Sequence, residues 1–298
     1  MRMIKITFLG TGCMTPTKER NVSAIAINYK SELILIDCGE GTQRQIKFAK
    51  LKPNKISKIL ISHWHGDHVL GLGGLIRTLG SNNYNKELEI YGPVGTKKYF
   101  TNLMNACIFN EKIKVKIKEI ESGICFENKD YIIDCLPLNH SCPCIGFSFI
   151  EKDKRKIKLD YTKKFGLEQH PLLGELQKGK DITYNNKKIK VKNATELIPG
   201  KKITVLLDTE ECLNAIKLAK NSDLLISEGT FMEKEKNQAK EAKHLTIKQA
   251  VSIAKKSKVK ELIITHLSQR YKSEKELLKE TKEFKKTKIA KDFMEIEI

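Results

Sequence analysis

Six residues hold the densest chemistry in the chain: His63-Trp64-His65-Gly66-Asp67-His68 places four potential metal ligands directly behind the apolar run Lys58-Ile59-Leu60-Ile61-Ser62. Three of the seven histidines fall within those six positions, which argues against a scatter of surface or core imidazoles. Imidazole nitrogen and carboxylate oxygen are donors that zinc takes. On a loop ending in Gly66, His63 and His65 can converge on one ion while Asp67 and His68 reach another. Three more candidates repeat the placement. His140 follows the strand pattern through Cys135-Leu136, Asp208 follows 203–207, and His266 follows Glu261 to Thr265. Loops at the carboxyl ends of strands are where α/β sheets assemble sites from residues distant in sequence. Taken singly each has a plainer reading; Asp208, for one, can cap the helix expected after it.

The elements that must carry these loops are short apolar runs ending in polar or glycine-rich turns, at 4–9, 24–28, 33–36, 58–61, 88–91, 131–136, 203–207, 224–226 and 261–264. Their length and bounding residues predict strands. Helical spacing appears in Ile247, Ala250, Val251 and Ala254, at i, i+3, i+4 and i+7, and in an amphipathic stretch over 210–219. Ser273 with Glu276 three residues on is a capping-box pattern that opens a C-terminal helix running through Leu277, Leu278 and Phe284. Strands mixed with helices predict an α/β layered fold.

With 298 residues, 40% of them apolar, the chain can bury a sizeable core, which excludes disorder as the default. No apolar run approaches bilayer length, and the opening residues, Met1 to Phe8, carry no signal-peptide core and read as a first strand. A cytoplasmic protein with no membrane association is expected. Eight scattered cysteines form no disulfide framework. Cys142-Pro143-Cys144 lacks a second pair at zinc-ribbon distance, so these read as structural thiols and no cysteine is assigned to a metal. The formal charge of +19 points to a polyanionic partner, nucleic acid or an anionic membrane. The segment 151–202 concentrates it, with 15 Lys/Arg against 7 Asp/Glu and few aliphatic residues. It reads as a basic insertion outside the core, although a merely solvated face has the same composition.

The order H-x-H-x-D-H, then a His, an Asp and a last His, resembles the metallo-β-lactamase superfamily, and within it the tRNase Z (ribonuclease Z) family of tRNA 3′-end endonucleases. Gly10-Thr11-Gly12 followed by Pro16-Thr17-Lys18-Glu19-Arg20-Asn21 matches that family's P-x-K-x-R-N loop. Asp37-Cys38-Gly39-Glu40-Gly41-Thr42-Gln43 matches its supporting Asp motif, and Thr265-His266-Leu267-Ser268-Gln269-Arg270-Tyr271 is similar to its T-H-F-S-x-R-Y end. The resemblance implies an αββα sandwich over 1–298 with an inserted basic flexible arm at 151–202 that grips tRNA.

It also implies two zinc ions per subunit: His63, His65 and His140 on one, Asp67, His68 and His266 on the other, and Asp208 bridging. Such a pair about 3.5–4 Å apart can share a hydroxide near neutral pH, a nucleophile for in-line attack on phosphorus. Asp67 would also orient or deprotonate that water, with Asp37 behind the ligands. Glu228 and His244 stand where the family's H-E-A-T and H-S-T motifs supply the proton for the leaving oxygen, here as Ser227-Glu228-Gly229-Thr230 and His244-Leu245-Thr246. Lys18, Arg20 and Asn21 would position the acceptor end of precursor tRNA, and the enzyme would be a homodimer. Two departures stand out: Leu207-Asp208-Thr209 replaces G-D-T, which puts leucine where glycine would tolerate positive φ, and His170-Pro171 replaces Gly-Pro in the arm. A small-substrate phosphodiesterase on the same fold and a non-catalytic RNA-binding protein stay as alternatives.

Overall fold

The computed structural model describes residues 3–108 and 113–298; Met1 and Arg2, which open the expected first strand, lie outside them. The chain divides into two compact units. One comprises Met1–Phe126, Ile133–Phe149 and Lys202–Ile298, the other Glu127–Ile132 and Ile150–Lys201.

The larger unit is built on two seven-stranded sheets. The first uses β1 (Lys5–Gly10), β2 (Ala24–Tyr29), β3 (Glu32–Ile36), β4 (Ile56–Leu60), β5 (Glu87–Gly92) and β6 (Lys114–Glu119) in that order. The last described strand of the chain, Glu295–Glu297, lies outside β1. Pairing is antiparallel up to β3 and parallel from β3 to β6. The second sheet holds β7 (Gly123–Glu127), β8 (Tyr131–Leu138) and β9 (Cys144–Glu151), which lead through two short strand pairs of the smaller unit, β10 (Lys154–Ile157) with β13 (Thr195–Ile198) and β11 (Ile182–Tyr184) with β12 (Lys187–Ile189). It continues with β14 (Lys202–Leu206), β15 (Leu224–Glu228), β16 (Glu261–Thr265) and β17 (Thr287–Ile289), all parallel, and the strand Glu295–Glu297 is β18.

Period-two alternation explains the layers. In β3, Leu33 and Leu35 join a cluster with Ile46, Leu72, Leu75 and Leu79 of the helices Thr42–Phe48 and Leu72–Ser81. Ile34 and Ile36, equally buried, face the other way. Across the second sheet, Leu206, Leu225, Leu262 and Ile264 pack on the helices Leu213–Ala219 and Ile247–Lys256. Edge contacts of Tyr29 with Phe149 and of Tyr91 with Phe126, at 5.3 and 6.4 Å between ring centroids, join the inner faces. Helix, sheet, sheet and helix therefore follow one another, the αββα sandwich expected.

Three boundaries differ from the sequence reading. The helix expected over 210–219 begins only at Leu213, because Thr209 and Glu210 are spent on the site loop: Thr209 N–H donates to Glu228 and Glu210 N–H to the Asn139 carbonyl. The C-terminal helix stops at Lys279, and Ser273 makes no side-chain cap. The reciprocal capping box occurs instead at Thr246 and Gln249, opening Ile247–Lys256.

The smaller unit is more than a charged loop. Leu167, Leu176, Ile182, Ile189, Val191 and Ala194 are buried together as a core of its own. Pro171 precedes the helix Leu172–Gln177, and the His170 ring, in place of the family's glycine, meets Tyr184 edge-on at 4.9 Å. Among the described residues no helix is long and apolar enough to cross a membrane.

Candidate metal centre

The candidate ligands converge at the carboxyl ends of β4, β8, β14 and β16. After β4, His63 and His65 lie on the loop, whereas Asp67 and His68 lie in the single helical turn Gly66–Val69 that the loop enters. β14 and β16 both leave their strands through left-handed backbone, Asp208 at φ 34° and His266 at φ 55°, and Asp37 after β3 does the same at φ 57°. Such residues cost backbone energy and recur where a side chain must be aimed. Because the positive φ falls on Asp208 itself and not on Leu207, the leucine replacing glycine carries no such strain.

The Asp208 carboxylate stands between two histidine sets. Its Oδ2 lies 3.5 Å from His63 Nε2 and 3.7 Å from His140 Nε2, and His140 Nε2 lies 3.3 Å from His65 Nδ1. Its Oδ1 lies 3.4 Å from His68 Nε2 and 3.3 Å from His266 Nε2, while Asp67 Oδ2 is 3.4 Å from each of the same two nitrogens. Donors bound about 2.1 Å from one tetrahedral zinc sit roughly 3.4 Å apart. His63 Nε2 and Asp208 Oδ1 are buried without a hydrogen-bond partner, a costly arrangement that a cation would satisfy. The donor set and its spacing thus fit two metal ions.

Outer partners fix which nitrogen faces inward. His68 Nδ1 donates to Asp37 at 2.6 Å, and His140 Nδ1 donates to the Lys243 carbonyl at 3.0 Å. The Ser62 hydroxyl donates to Asp37 at 2.7 Å, so its oxygen accepts from His63 Nδ1 at 3.0 Å. Thr230 Oγ1 donates to Glu228 at 2.7 Å and accepts from His266 Nδ1 at 3.0 Å. In all four rings Nε2 is left for the centre.

Electrostatics follow the same division. Burial, aided by repulsion from His68, holds His63 well below the usual imidazole range. Burial also opposes charge on His68 and His266, but the Asp208 carboxylate outweighs it and raises both. Against its own burial, hydrogen bonds from His266 and His68 drive Asp67 far below the carboxylate range. A metal entering here must displace protons from His68 and His266, so acid competes with it.

Glu228 and His244 stand beside the candidate ligands. His244 Nδ1 is 3.0 Å from Glu228 Oε1, and its Nε2 reaches to 3.9 Å from Asp208. Glu228 is buried and receives Thr209 N–H at 2.7 Å and Leu245 N–H at 3.1 Å, which leaves it one orientation. Burial disfavours the imidazolium, yet the Glu228 charge prevails and lifts His244 to about 9.

The 16–21 loop divides differently. Lys18 is exposed. Arg20 donates inward, at 2.6 Å to Thr11 and 2.7 Å to the Ala290 carbonyl, and Asn21 holds the Glu40 carbonyl at 2.8 Å. Two thiols that the sequence reading left outside the site stand beside it: Cys13 near Asp67 and His266, and Cys142 with Sγ 3.7 Å from His65 Nε2. No spacing signal marks Cys13, and the C-x-C pair that holds Cys142 has no second pair at zinc-ribbon distance.

Comparison with known proteins agrees. The ribonuclease Z of Thermococcus onnurineus is 41% identical over 271 residues, covering 90% of this chain and 86% of that protein. The chain belongs to the ribonuclease Z family. The crystal structure of the short form of human tRNase Z superposes with a TM-score of 0.74 at 29% identity, covering 98% of each chain. The metallo-β-lactamase fold protein YhfI of Bacillus subtilis, at TM-score 0.73, 20% identity and full coverage of both chains, shares the fold. A family described as Anti-Pycsar protein Apyc1 matches residues 4–141, where the first ligand motif lies.

Proposed function

We propose that the protein is a metal-dependent endoribonuclease that removes the 3′ trailer from precursor tRNA, cutting after the discriminator nucleotide to leave a tRNA 3′-hydroxyl and a trailer 5′-phosphate. The observation that carries this is the Asp208 carboxylate, whose two oxygens each meet a separate histidine set at ligand spacing. Two zinc ions held by His63, His65 and His140, by Asp67, His68 and His266, and by Asp208 between them would supply an acidified water and positive charge opposite the phosphoryl oxygens.

The chain's own groups do the rest. Asp67, whose Oδ2 stands beside the Nε2 atoms of His68 and His266, is placed to orient the attacking water or take its proton. His244, charged by Glu228 and directed at the same centre, donates a proton to the departing 3′ oxygen. Asp37 fixes the His68 tautomer. Arg20 and Asn21 stiffen the loop from which Lys18 meets the acceptor strand. The smaller unit contributes exposed lysines without ion pairs among the described residues, including Lys156, Lys163, Lys164, Lys187, Lys190 and Lys192, suited to RNA backbone contacts that ignore base sequence. We read this unit as the tRNA-gripping arm, the enzyme as a homodimer, and its location as cytoplasmic, in keeping with eight free cysteines.

Incubation of the full chain and zinc with a precursor tRNA, followed by mapping of both new ends, tests the reading. A single cut after the discriminator supports it. Cutting inside the mature body, or none with Zn²⁺ or Mn²⁺ supplied, contradicts it.

A further inference from the structure

We infer that Cys13 is an additional metal ligand at the second position, adding sulfur to the nitrogen and oxygen donors of Asp67, His68, His266 and Asp208. Its Sγ lies in one cluster with ligand atoms of Asp67 and His266, all within 4.8 Å of one another. The backbone holds it there from both sides. Cys13 N–H donates to the Leu267 carbonyl at 3.0 Å and Leu267 N–H to Thr11 at 2.9 Å, tying the segment to the residue after His266. Met14 N–H donates to Asp67 Oδ2 at 2.8 Å, tying it to the other ligand. Independently of the thiol, the buried Asp208 Oδ1 faces this position with no hydrogen-bond partner, 3.3 Å from His266 Nε2.

On binding, the thiol releases its proton to solvent as the sulfur–metal bond forms. The resulting thiolate strengthens the preference for thiophilic ions such as Zn²⁺, Co²⁺ and Cd²⁺ over Mn²⁺ and Mg²⁺ beyond what imidazole and carboxylate alone give. Other nearby thiols are placed otherwise: Cys142 approaches His65 on the first position, and the buried Cys144 points its Sγ at the Asp208 and Leu207 carbonyls, at 3.3 and 3.8 Å.

The inference rests on the dinuclear reading, and a titration of the metal-stripped full chain with Co²⁺ alone separates the two. Visible ligand-field bands report the centre; a near-ultraviolet sulfur-to-cobalt charge-transfer band reports the thiolate. The expected result is both, with Cys13→Ser and Cys13→Ala each losing only the charge-transfer band and thereby showing that they remain folded and metal-competent. Ligand-field bands without charge transfer in the unmodified chain overturn the inference and leave the centre standing. A charge-transfer band that survives in Cys13→Ser and vanishes in Cys142→Ser also overturns it. No cobalt binding at all overturns both readings.

Discussion

At the scale of single residues, proton placement decides what the site can do. His244 must carry its proton to serve a leaving oxygen, and the Glu228 charge, winning over burial, sets that proton's loss at about 9. Single-turnover cleavage should therefore fall as pH rises through about 9. Glu228→Gln removes the charge and keeps the burial, so the alkaline limb should move to lower pH; an unmoved limb removes His244 from the acid role. His244→Ala should slow cleavage by about 10²–10⁴ at neutral pH with RNA affinity unchanged in filter binding. Asp37 is a structural counterpart: it accepts from Ser62 N–H, Ser62 Oγ and His68, each at 2.6–2.7 Å in full burial. Asp37→Ala orphans those donors and should cost on the order of 3 kcal/mol in urea unfolding of the metal-free protein. The candidate ligands were legible because three of the seven histidines crowd into six residues behind one apolar run. Their supports were not, since a serine hydroxyl or the Lys243 carbonyl has no sequence signature, and the Asp292 carboxylate that takes Asn21 N–H at 2.7 Å, and Thr11 Oγ1 at 2.7 Å, comes from the far end of the chain.

At the scale of elements, strand ends and close backbone contacts aim the ligands. Gly39 and Gly71 let the Asp37 loop lie directly on the turn bearing Asp67 and His68: a Cβ on Gly71 would stand 2.0 Å from the Gly39 carbonyl oxygen, and one on Gly39 would stand 2.2 Å from that of Asp67. Gly71→Ala must separate the two loops. We expect a loss of about 2–3 kcal/mol in thermal unfolding, with weaker metal retention on dialysis, since Asp37 then no longer braces His68. Apolar runs made most strands of both sheets readable, because each buries one face under helices and the other against the opposite sheet. β6 escaped notice: Lys114, Lys116 and Lys118 alternate with Val115 and Ile117 along an edge strand, so no continuous apolar run marks it. The short pairs β10–β13 and β11–β12 are too brief to display a period at all.

At the scale of the molecule, charge and centre divide the labour. The +19 excess makes RNA affinity a matter of counterion release, so log affinity should fall linearly with log salt. Replacing Lys163 and Lys164 by Gln should shallow that slope by about 0.7–0.9 per lost phosphate contact and leave hydrolysis of a small phosphodiester unchanged. A slope that does not change would take those lysines out of the interface. Composition revealed the basic segment but hid its core, because six apolar side chains spread over 167–194 are lost among lysines. Metal stoichiometry addresses the central claim most directly: transition-metal content per chain, measured by plasma mass spectrometry on cleavage-competent protein and on Asp208→Ala. Two equivalents in the first, and depletion of both with loss of cleavage in the second, are predicted; active protein free of bound metal, or a variant that retains both ions and its activity, would contradict it.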